Sequence, residues 1–82
     1  MRYGGPMIQT AYLQWRARTG LGRAALAVQI GVSYGQLGRW LRADVTPRPE
    51  HLHALARTIG ADPEAMLAEY LRADKTRDAD LR

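Results

Sequence analysis

Residues 23–42, RAALAVQIGVSYGQLGRWLR, contain two short helical patterns separated by a turn of fixed length. Apolar residues of the first pattern recur at helical spacing and share one face; they are Ala24, Leu26, Ala27 and Ile30. Gly31 is predicted to end this helix, because glycine adopts the positive φ of a helix C-terminus without strain. Ser33 is placed to cap a second helix through its side-chain oxygen. The stretch therefore predicts two helices joined by a tight turn.

The second of these helices, predicted over residues 34–42, has an apolar face and a basic face. Leu37, Trp40 and Leu41 share the apolar face. The other face carries Tyr34, Gln36, Arg39 and Arg42. A helix, a glycine turn and a second helix with a basic exposed face form the helix-turn-helix pattern, whose second helix enters the DNA major groove.

The segments on both sides of this motif extend the pattern. Residues 16–21, RARTGL, precede it, and residues 47–50, PRPE, and 52–61, LHALARTIGA, follow it. In order and spacing these pieces resemble the lambda-repressor and Cro-type helix-turn-helix family, the XRE family, over about residues 8–71. The resemblance implies an all-α fold: a compact five-helix lambda-repressor-like DNA-binding domain with the helix-turn-helix at its second and third helices.

Periodicity and stop signals predict the remaining helices. The first should run from Met7 or Ile8 to Thr19, with Tyr12 and Trp15 in the core rather than stacked on bases. The fourth should run from about Pro49 to Ile59. The fifth should open at residues 62–64, where an aspartate cap precedes a proline at the first helical position.

These helices set the predicted domain boundaries. The helix-turn-helix domain is expected over residues 7–73. Residues 1–6, which contain two glycines and a proline, are expected to form a flexible N-terminal lead. Residues 74–82 mix charges without an apolar stripe, and we expect this C-terminal tail to fray or to be disordered.

Positive charge is concentrated in the predicted recognition unit. Residues 1–60 carry eight arginines against Asp44 and Glu50, a net charge of +6, whereas residues 61–82 carry four basic and six acidic residues, a net charge of −2. Basic clustering favours a polyanionic partner, and arginines that merely solvate helix faces are the alternative explanation. Binding to a membrane surface is disfavoured, because no predicted helix pairs a broad apolar face with a lysine-rich one.

The resemblance implies roles for the residues that match family positions. Tyr34, Gly35 and Arg39 fall where family members contact base edges, with Gln36 a secondary candidate. Arg39 is the main candidate, because its planar fork can bond guanine O6 and N7 together. Phosphate contacts are expected from Arg16, Arg23, Arg42 and Arg48; Arg23 would also brace the recognition helix, and solvated surface is the alternative for Arg42 and Arg48.

Two features of the motif are unusual. Many members pair the arginine matching Arg16 with a glutamate where this sequence has Leu41, so that ion pair cannot form. Asp44 or Glu50 could replace the glutamate, or Arg16 could be free to bind phosphate. The recognition helix also contains two glycines, of which Gly35 lies on the outward side and favours close approach to DNA. For Gly38, approach to DNA and close packing on a neighbouring helix both stay open.

Residues for other chemistries are missing. The sequence has no cysteine, which excludes disulfides and thiolate chemistry and fits a reducing cytoplasm. His51 and His53 point to different sides of the fourth helix and cannot share a metal on one face. Ser33, the only serine, is better explained as a helix cap than as a nucleophile. No apolar run reaches membrane-spanning length, and no signal-peptide core precedes the domain. We therefore expect no enzyme activity, metal or cofactor.

The function implied is sequence-specific transcriptional regulation, by a small Cro-like repressor in the cytoplasm of a prokaryotic or phage-infected cell. It would bind, as a homodimer, a two-fold double-stranded DNA operator with half-sites about 34 Å apart. Dimer contacts are expected from Met66, Leu67, Tyr70 and Leu71 on the fifth helix. The alternative is an antitoxin or anti-activator whose main role is to bind a partner protein. Phage repressors, restriction–modification controller proteins and antitoxins of this size all occur in the family.

Overall fold

The computed structural model describes the backbone of residues 6–80 and the side chains of residues 7–75. In this part the chain forms five helices and no strand, which confirms the predicted all-α fold. They are α1 (Pro6–Thr19), α2 (Arg23–Ile30), α3 (Tyr34–Leu41), α4 (Pro49–Ile59) and α5 (Pro63–Asp80). The flexible lead predicted over residues 1–6 lies outside the described residues, except for Pro6, the first residue of α1.

The helix ends follow the predicted stop and start signals. Gly20, Gly31 and Gly60 each adopt a positive φ, between 74° and 78°, directly after a helix. Ser33 caps α3, since its hydroxyl oxygen accepts a hydrogen bond from the backbone N–H of Gln36 at 3.1 Å. Asp62 caps α5 through a carboxylate oxygen that accepts from the N–H of Ala65 at 3.2 Å. Local sequence therefore determines where most of the helices begin and end.

The C-terminal end of α5 differs from the prediction. The helix continues to Asp80, whereas the sequence pattern placed the end of the domain at Ala73 and expected fraying beyond it. Residues 64–80 contain neither glycine nor proline, so no residue in this segment interrupts the backbone hydrogen bonding of a helix. Without an apolar stripe the sequence beyond Ala73 gives no sign that a helix there would pack on the core. It also contains no residue that would end the helix.

The core is built where the five helices meet. Trp40 and Tyr70 are the largest fully buried side chains, and Tyr12 and Trp15 stack with ring centroids 6.3 Å apart, which confirms their predicted core position. Ala24 was predicted on the apolar face of α2 and is instead exposed, because α2 turns Leu26 and Ala27 inward. The buried apolar residues are Ile8, Ala11, Tyr12, Trp15, Leu26, Ala27, Leu37, Trp40, Leu41, Ala43, Leu52, Leu55, Ala56, Ile59, Met66 and Tyr70.

Two long-range hydrogen bonds attach α5 to the rest of the core. The buried hydroxyl of Tyr70 donates to the carbonyl oxygen of Trp40, at the end of α3, at 2.8 Å. A carboxylate oxygen of Glu69, itself buried, accepts from the backbone N–H of Met7 at 3.1 Å, in the first turn of α1. Burial, with a smaller contribution from the neighbouring Glu69 charge, raises the pKa of the Tyr70 phenol well above its usual value.

This attachment corrects half of the predicted dimer surface. Met66 and Tyr70 are both 0% exposed, because their side chains fill the core between α5 and the other helices. They are not available to a second subunit. Leu67 and Leu71 lie on the outer side of α5 and are 41% and 53% exposed. Only these two of the four predicted residues are on the surface.

Candidate nucleic-acid interface

The turn between α2 and α3 is fixed by backbone hydrogen bonds at the end of α2. The N–H of Gly31 donates to the carbonyl oxygen of Ala27 at 2.9 Å, and the N–H of Val32 donates to the same oxygen at 3.0 Å. Leu26 and Leu37, one on each helix, are fully buried beneath the turn. The motif is therefore a rigid unit that presents the remaining face of α3 at the surface.

The predicted base-contact residues lie together on the exposed part of α3. Tyr34, Gly35 and Arg39 are exposed, and Gln36 is half-buried at the edge of the face. The Arg39 guanidinium donates to the side-chain oxygen of Gln36 at 3.2 Å, so these two side chains are linked in the free protein. Arginine and glutamine can both present paired hydrogen-bonding groups to base edges in a major groove.

Arg23, the first residue of α2, lies across the side of α3. Its guanidinium carbon is 4.0 Å from the centre of the Tyr34 ring, in the geometry of a cation–π contact. Its Nε atom is buried and has no hydrogen-bond partner. A Cβ atom built on Gly38 would lie 3.0 Å from one guanidinium nitrogen of Arg23 and 3.4 Å from one of Arg42. In the free protein Gly38 therefore packs closely against two arginine side chains, one from α2 and one from the end of α3 itself.

The other predicted phosphate contacts have different surroundings. Arg42 caps the end of α3 and forms an ion pair with Asp44, with Nε 3.1 Å from the carboxylate oxygen. Both side chains are about half exposed, so this pair is worth little in water and leaves Arg42 accessible. Arg48 is the exposed N-cap residue of α4. Arg16 is exposed and makes no ion pair among the described side chains, while Leu41 is buried where many family members have a glutamate.

Three of the four predicted phosphate-contact arginines line one groove. The groove, of about 460 Å³, lies between α1, the start of α2 and α3. Its lining contains Arg16, Arg23 and Arg42, but not Arg48. Sequence reasoning missed Gln9, which also lines it; the spacing of Gln9, Tyr12 and Arg16 on α1 is the signal that places them on one face. The remaining lining residues are Tyr12, Gly22, Tyr34 and Leu41.

The electrostatics of this region suit a polyanion. The groove carries three guanidinium groups, and Asp44 forms an ion pair with one of them, that of Arg42. No group of three or more metal-binding side chains occurs among the described residues. None of the helices in the described part of the chain has the length and apolar character needed to cross a membrane. A basic groove beside an exposed helix face can hold a phosphate backbone while the helix reaches the bases.

A small all-α domain with this turn geometry and this basic helix face is a DNA-binding domain of the helix-turn-helix class. The family model described as "Helix-turn-helix domain" matches residues 14–70, which is more than half of the chain. The chain belongs to this helix-turn-helix family, which is of the XRE/Cro type. Such families act by binding DNA and are typically not enzymes. No curated protein and no solved structure matched the chain.

Proposed function

We propose that this protein is a sequence-specific transcriptional regulator, a small Cro-like repressor that reads duplex DNA with α3 in the major groove. The observation that supports it best is the arrangement around α3. Its outward side carries Gly35 and Arg39, and the groove with three arginines lies directly beside it. Base-reading groups and phosphate-binding groups are thus adjacent, which is the arrangement that docking of a recognition helix requires.

The proposed roles divide between sequence reading and positioning. Arg39 reads guanine through its two-pronged guanidinium, with Tyr34, Gly35 and Gln36 against neighbouring bases. The arginines of the groove, Arg16, Arg23 and Arg42, bind phosphates on one side of α3. Arg48, at the start of α4 and outside this groove, contacts the DNA backbone separately. Contacts to phosphate hold the domain in register and add affinity without sequence preference.

In this proposal the protein acts as a homodimer in the cytoplasm of a prokaryotic or phage-infected cell. The exposed Leu67 borders an apolar groove of about 270 Å³, formed by the loop before α4, by α4 and by the start of α5. Leu67 lines this groove, so the same patch offers an exposed apolar side chain and an apolar cleft, and a two-fold interface pairs one patch with its copy on the second subunit. Pairing two domains would place two recognition helices on a two-fold operator.

Selection from a random duplex library at near-physiological salt tests this function. We expect enrichment of a two-fold motif whose half-sites are separated by about one helical turn. No enrichment by protein shown to be folded would contradict the proposal. It would favour the second candidate, an antitoxin or anti-activator that binds a partner protein through the exposed apolar side of α5. Enrichment of a single half-site would contradict the homodimer but not the sequence-specific binding of DNA.

Two matched variants would then assign the reading residue. Arg39→Lys keeps the positive charge but loses the planar fork, so it should retain non-specific affinity and lose about 1–3 kcal/mol of discrimination at one base pair. Arg57→Ala, on the exposed side of α4, removes a charge away from α3 and should leave the selected motif unchanged. An unchanged motif from Arg39→Lys would show that Arg39 does not read the base.

A further inference from the structure

Gly38 lies at the centre of a slot on the side of α3. Tyr34, Gly38 and Arg42 are spaced four residues apart and therefore share one side of the helix. The Arg23 side chain lies along this side, with its guanidinium over the Tyr34 ring. Gly38 is buried although it has no side chain, since the guanidinium groups of Arg23 and Arg42 both approach the place that its Cβ would occupy.

A glycine at this position costs helix stability, because glycine loses more conformational freedom on folding than alanine does. Its φ is not positive, so the backbone conformation of α3 does not require glycine here. The space above the residue is what distinguishes it. At 3.0 Å from the Arg23 nitrogen, a methyl group would be closer than a Cβ normally comes to a neighbouring atom, and the guanidinium would have to move by a few tenths of an ångström.

The two arginines that approach each other over Gly38 also indicate which kind of ligand the slot would bind. Two guanidinium groups that approach the same point repel each other, and the ion pair with Asp44 involves Arg42 rather than Arg23. An anion placed between them would turn this repulsion into two attractions. The slot opens beside the proposed major-groove face, and the nearest anion in a docked complex is a DNA phosphate.

We propose that Gly38 is a positioning residue for DNA binding, because its missing side chain lets Arg23 lie flat against α3 and share one phosphate with Arg42. The inference rests on the proposed function, since it assigns a mechanism to the phosphate contact of Arg23. Gly38 itself touches no DNA in this proposal. A methyl group at residue 38 would meet only the far ends of two flexible side chains, and Arg23 is the nearer of them, so the methyl moves Arg23 without disrupting the core.

A double-mutant cycle of Arg23→Ala and Gly38→Ala tests the inference. Binding of each variant to a short random-sequence duplex is measured over a series of salt concentrations. Arg23→Ala should weaken binding by about three- to tenfold and reduce the salt slope by about 1, equally for all sequences. Gly38→Ala should show part of this loss in the wild-type background and none in the Arg23→Ala background, since the double variant lacks the Arg23 group at 3.0 Å and the Arg42 nitrogen, at 3.4 Å, is at ordinary contact distance.

A measurement without DNA separates positioning from a general structural effect. The Arg23 Nε–H group lies near the Tyr34 ring, so its nuclear magnetic resonance signal is sensitive to the ring current. We expect this signal to shift in Gly38→Ala while the thermal midpoint stays at or above that of the wild type. If Gly38→Ala alone failed to fold, recovery of folding in the double variant would still identify Arg23 as the group that the methyl displaces.

The outcomes distinguish this inference from the proposed function. If Arg23→Ala weakens binding but Gly38→Ala binds as the wild type does, the positioning role is wrong and the regulator proposal stands. An equal loss from Gly38→Ala in both backgrounds would also overturn it, because Gly38 would then act independently of Arg23. A wild-type protein that binds no duplex would overturn the proposed function, and this inference with it.

Discussion

Gly35 and Gly38 occupy the same short helix and have opposite surroundings. No atom lies within 4 Å of a Cβ built on Gly35, whereas one built on Gly38 would meet two guanidinium groups. Both have helical backbones that alanine could adopt without strain. The glycine at 35 is therefore unexplained by the free protein, and the space in front of it is available for a partner. Close approach of the α3 backbone to DNA would explain it.

Replacing Gly35 with alanine tests this explanation. In the free protein we expect Gly35→Ala to raise the free energy of unfolding by about 0.5–1 kcal/mol, because alanine favours the helix and meets no neighbour. In the complex the added methyl should reduce the affinity for the selected duplex. Urea denaturation and DNA titration of the same preparation measure the two effects. Unchanged or improved DNA affinity would show that α3 does not approach DNA closely at residue 35.

A buried long-range hydrogen bond joins α5 to the end of α3. The carbonyl oxygen of Trp40 accepts hydrogen bonds from the Tyr70 hydroxyl at 2.8 Å and from the backbone N–H of Ala43 at 3.1 Å. Ala43 has a φ of 59°, a left-handed conformation that is unfavourable for a residue with a side chain. The end of the recognition helix is thus held by a strained turn and by a side chain from α5, and its position depends on how α5 is packed.

Tyr70→Phe should therefore affect both stability and the end of α3. Loss of the buried hydrogen bond should lower the free energy of unfolding by about 0.5–1.5 kcal/mol, with the ring still in the core. Amide exchange at residues 41–43 should accelerate more than exchange within α4. The control is Tyr12→Phe, because the Tyr12 hydroxyl makes no hydrogen bond among the described residues. Uniformly faster exchange throughout the domain would contradict a local role at α3.

The same phenol makes stability depend on alkaline pH. Burial raises the pKa of Tyr70 in the folded state, so its hydroxyl stays protonated when the unfolded chain begins to ionise near pH 10. The contribution of Tyr70 to stability is therefore complete below about pH 10 and is lost as the pH rises further, by up to about 1.4 kcal/mol per pH unit. In urea denaturation across this range, Tyr70→Phe should lose stability less steeply than the wild type. Parallel curves would contradict the raised pKa.

At the scale of the whole molecule, local signals and long-range packing contribute different parts of the structure. The start and end of α4 match the prediction at Pro49 and Ile59, because proline and Gly60 mark them in the sequence itself. The left-handed turn at Ala43 carries no such mark, since the residue is not glycine. The bond between Glu69 and Met7 joins residues 62 positions apart, and helical periodicity holds no information about such a pair.

The candidate site shows the same division. Matching motif positions grouped Tyr34, Gly35, Gln36 and Arg39 on α3, and the structure places these four together. The space next to Gly38 is occupied mainly by the Arg23 side chain, because of the way α2 crosses α3. The spacing of residues along one helix does not define that crossing. The predicted dimer surface on α5 was half wrong for a related reason. Periodicity identifies an apolar stripe, but it does not separate residues that the core buries, such as Met66, from residues left outside, such as Leu71.

The homodimer proposal depends on that distinction. Leu71 is 53% exposed and lies one helical turn from Leu67, so a charge introduced there would enter the proposed interface without disturbing the core. We expect Leu71→Glu to dissociate the dimer, because an unpaired carboxylate buried between subunits is strongly unfavourable. Light scattering over a range of concentrations up to tens of micromolar measures the mass. Val28→Glu is the control, since Val28 is 80% exposed on α2, away from α5.

Comparing the two variants locates the dimer interface. Dissociation by Leu71→Glu alone would place the interface on the outer side of α5 and should also convert the selected two-fold motif to a single half-site, since only a dimer fixes the spacing of two recognition helices. Equal dissociation by both variants would mean that added negative charge, and not the α5 surface, is responsible. A wild-type protein that stays monomeric at these concentrations would contradict a stable dimer in solution, and two-fold operator binding would then require the DNA to bring the two copies together.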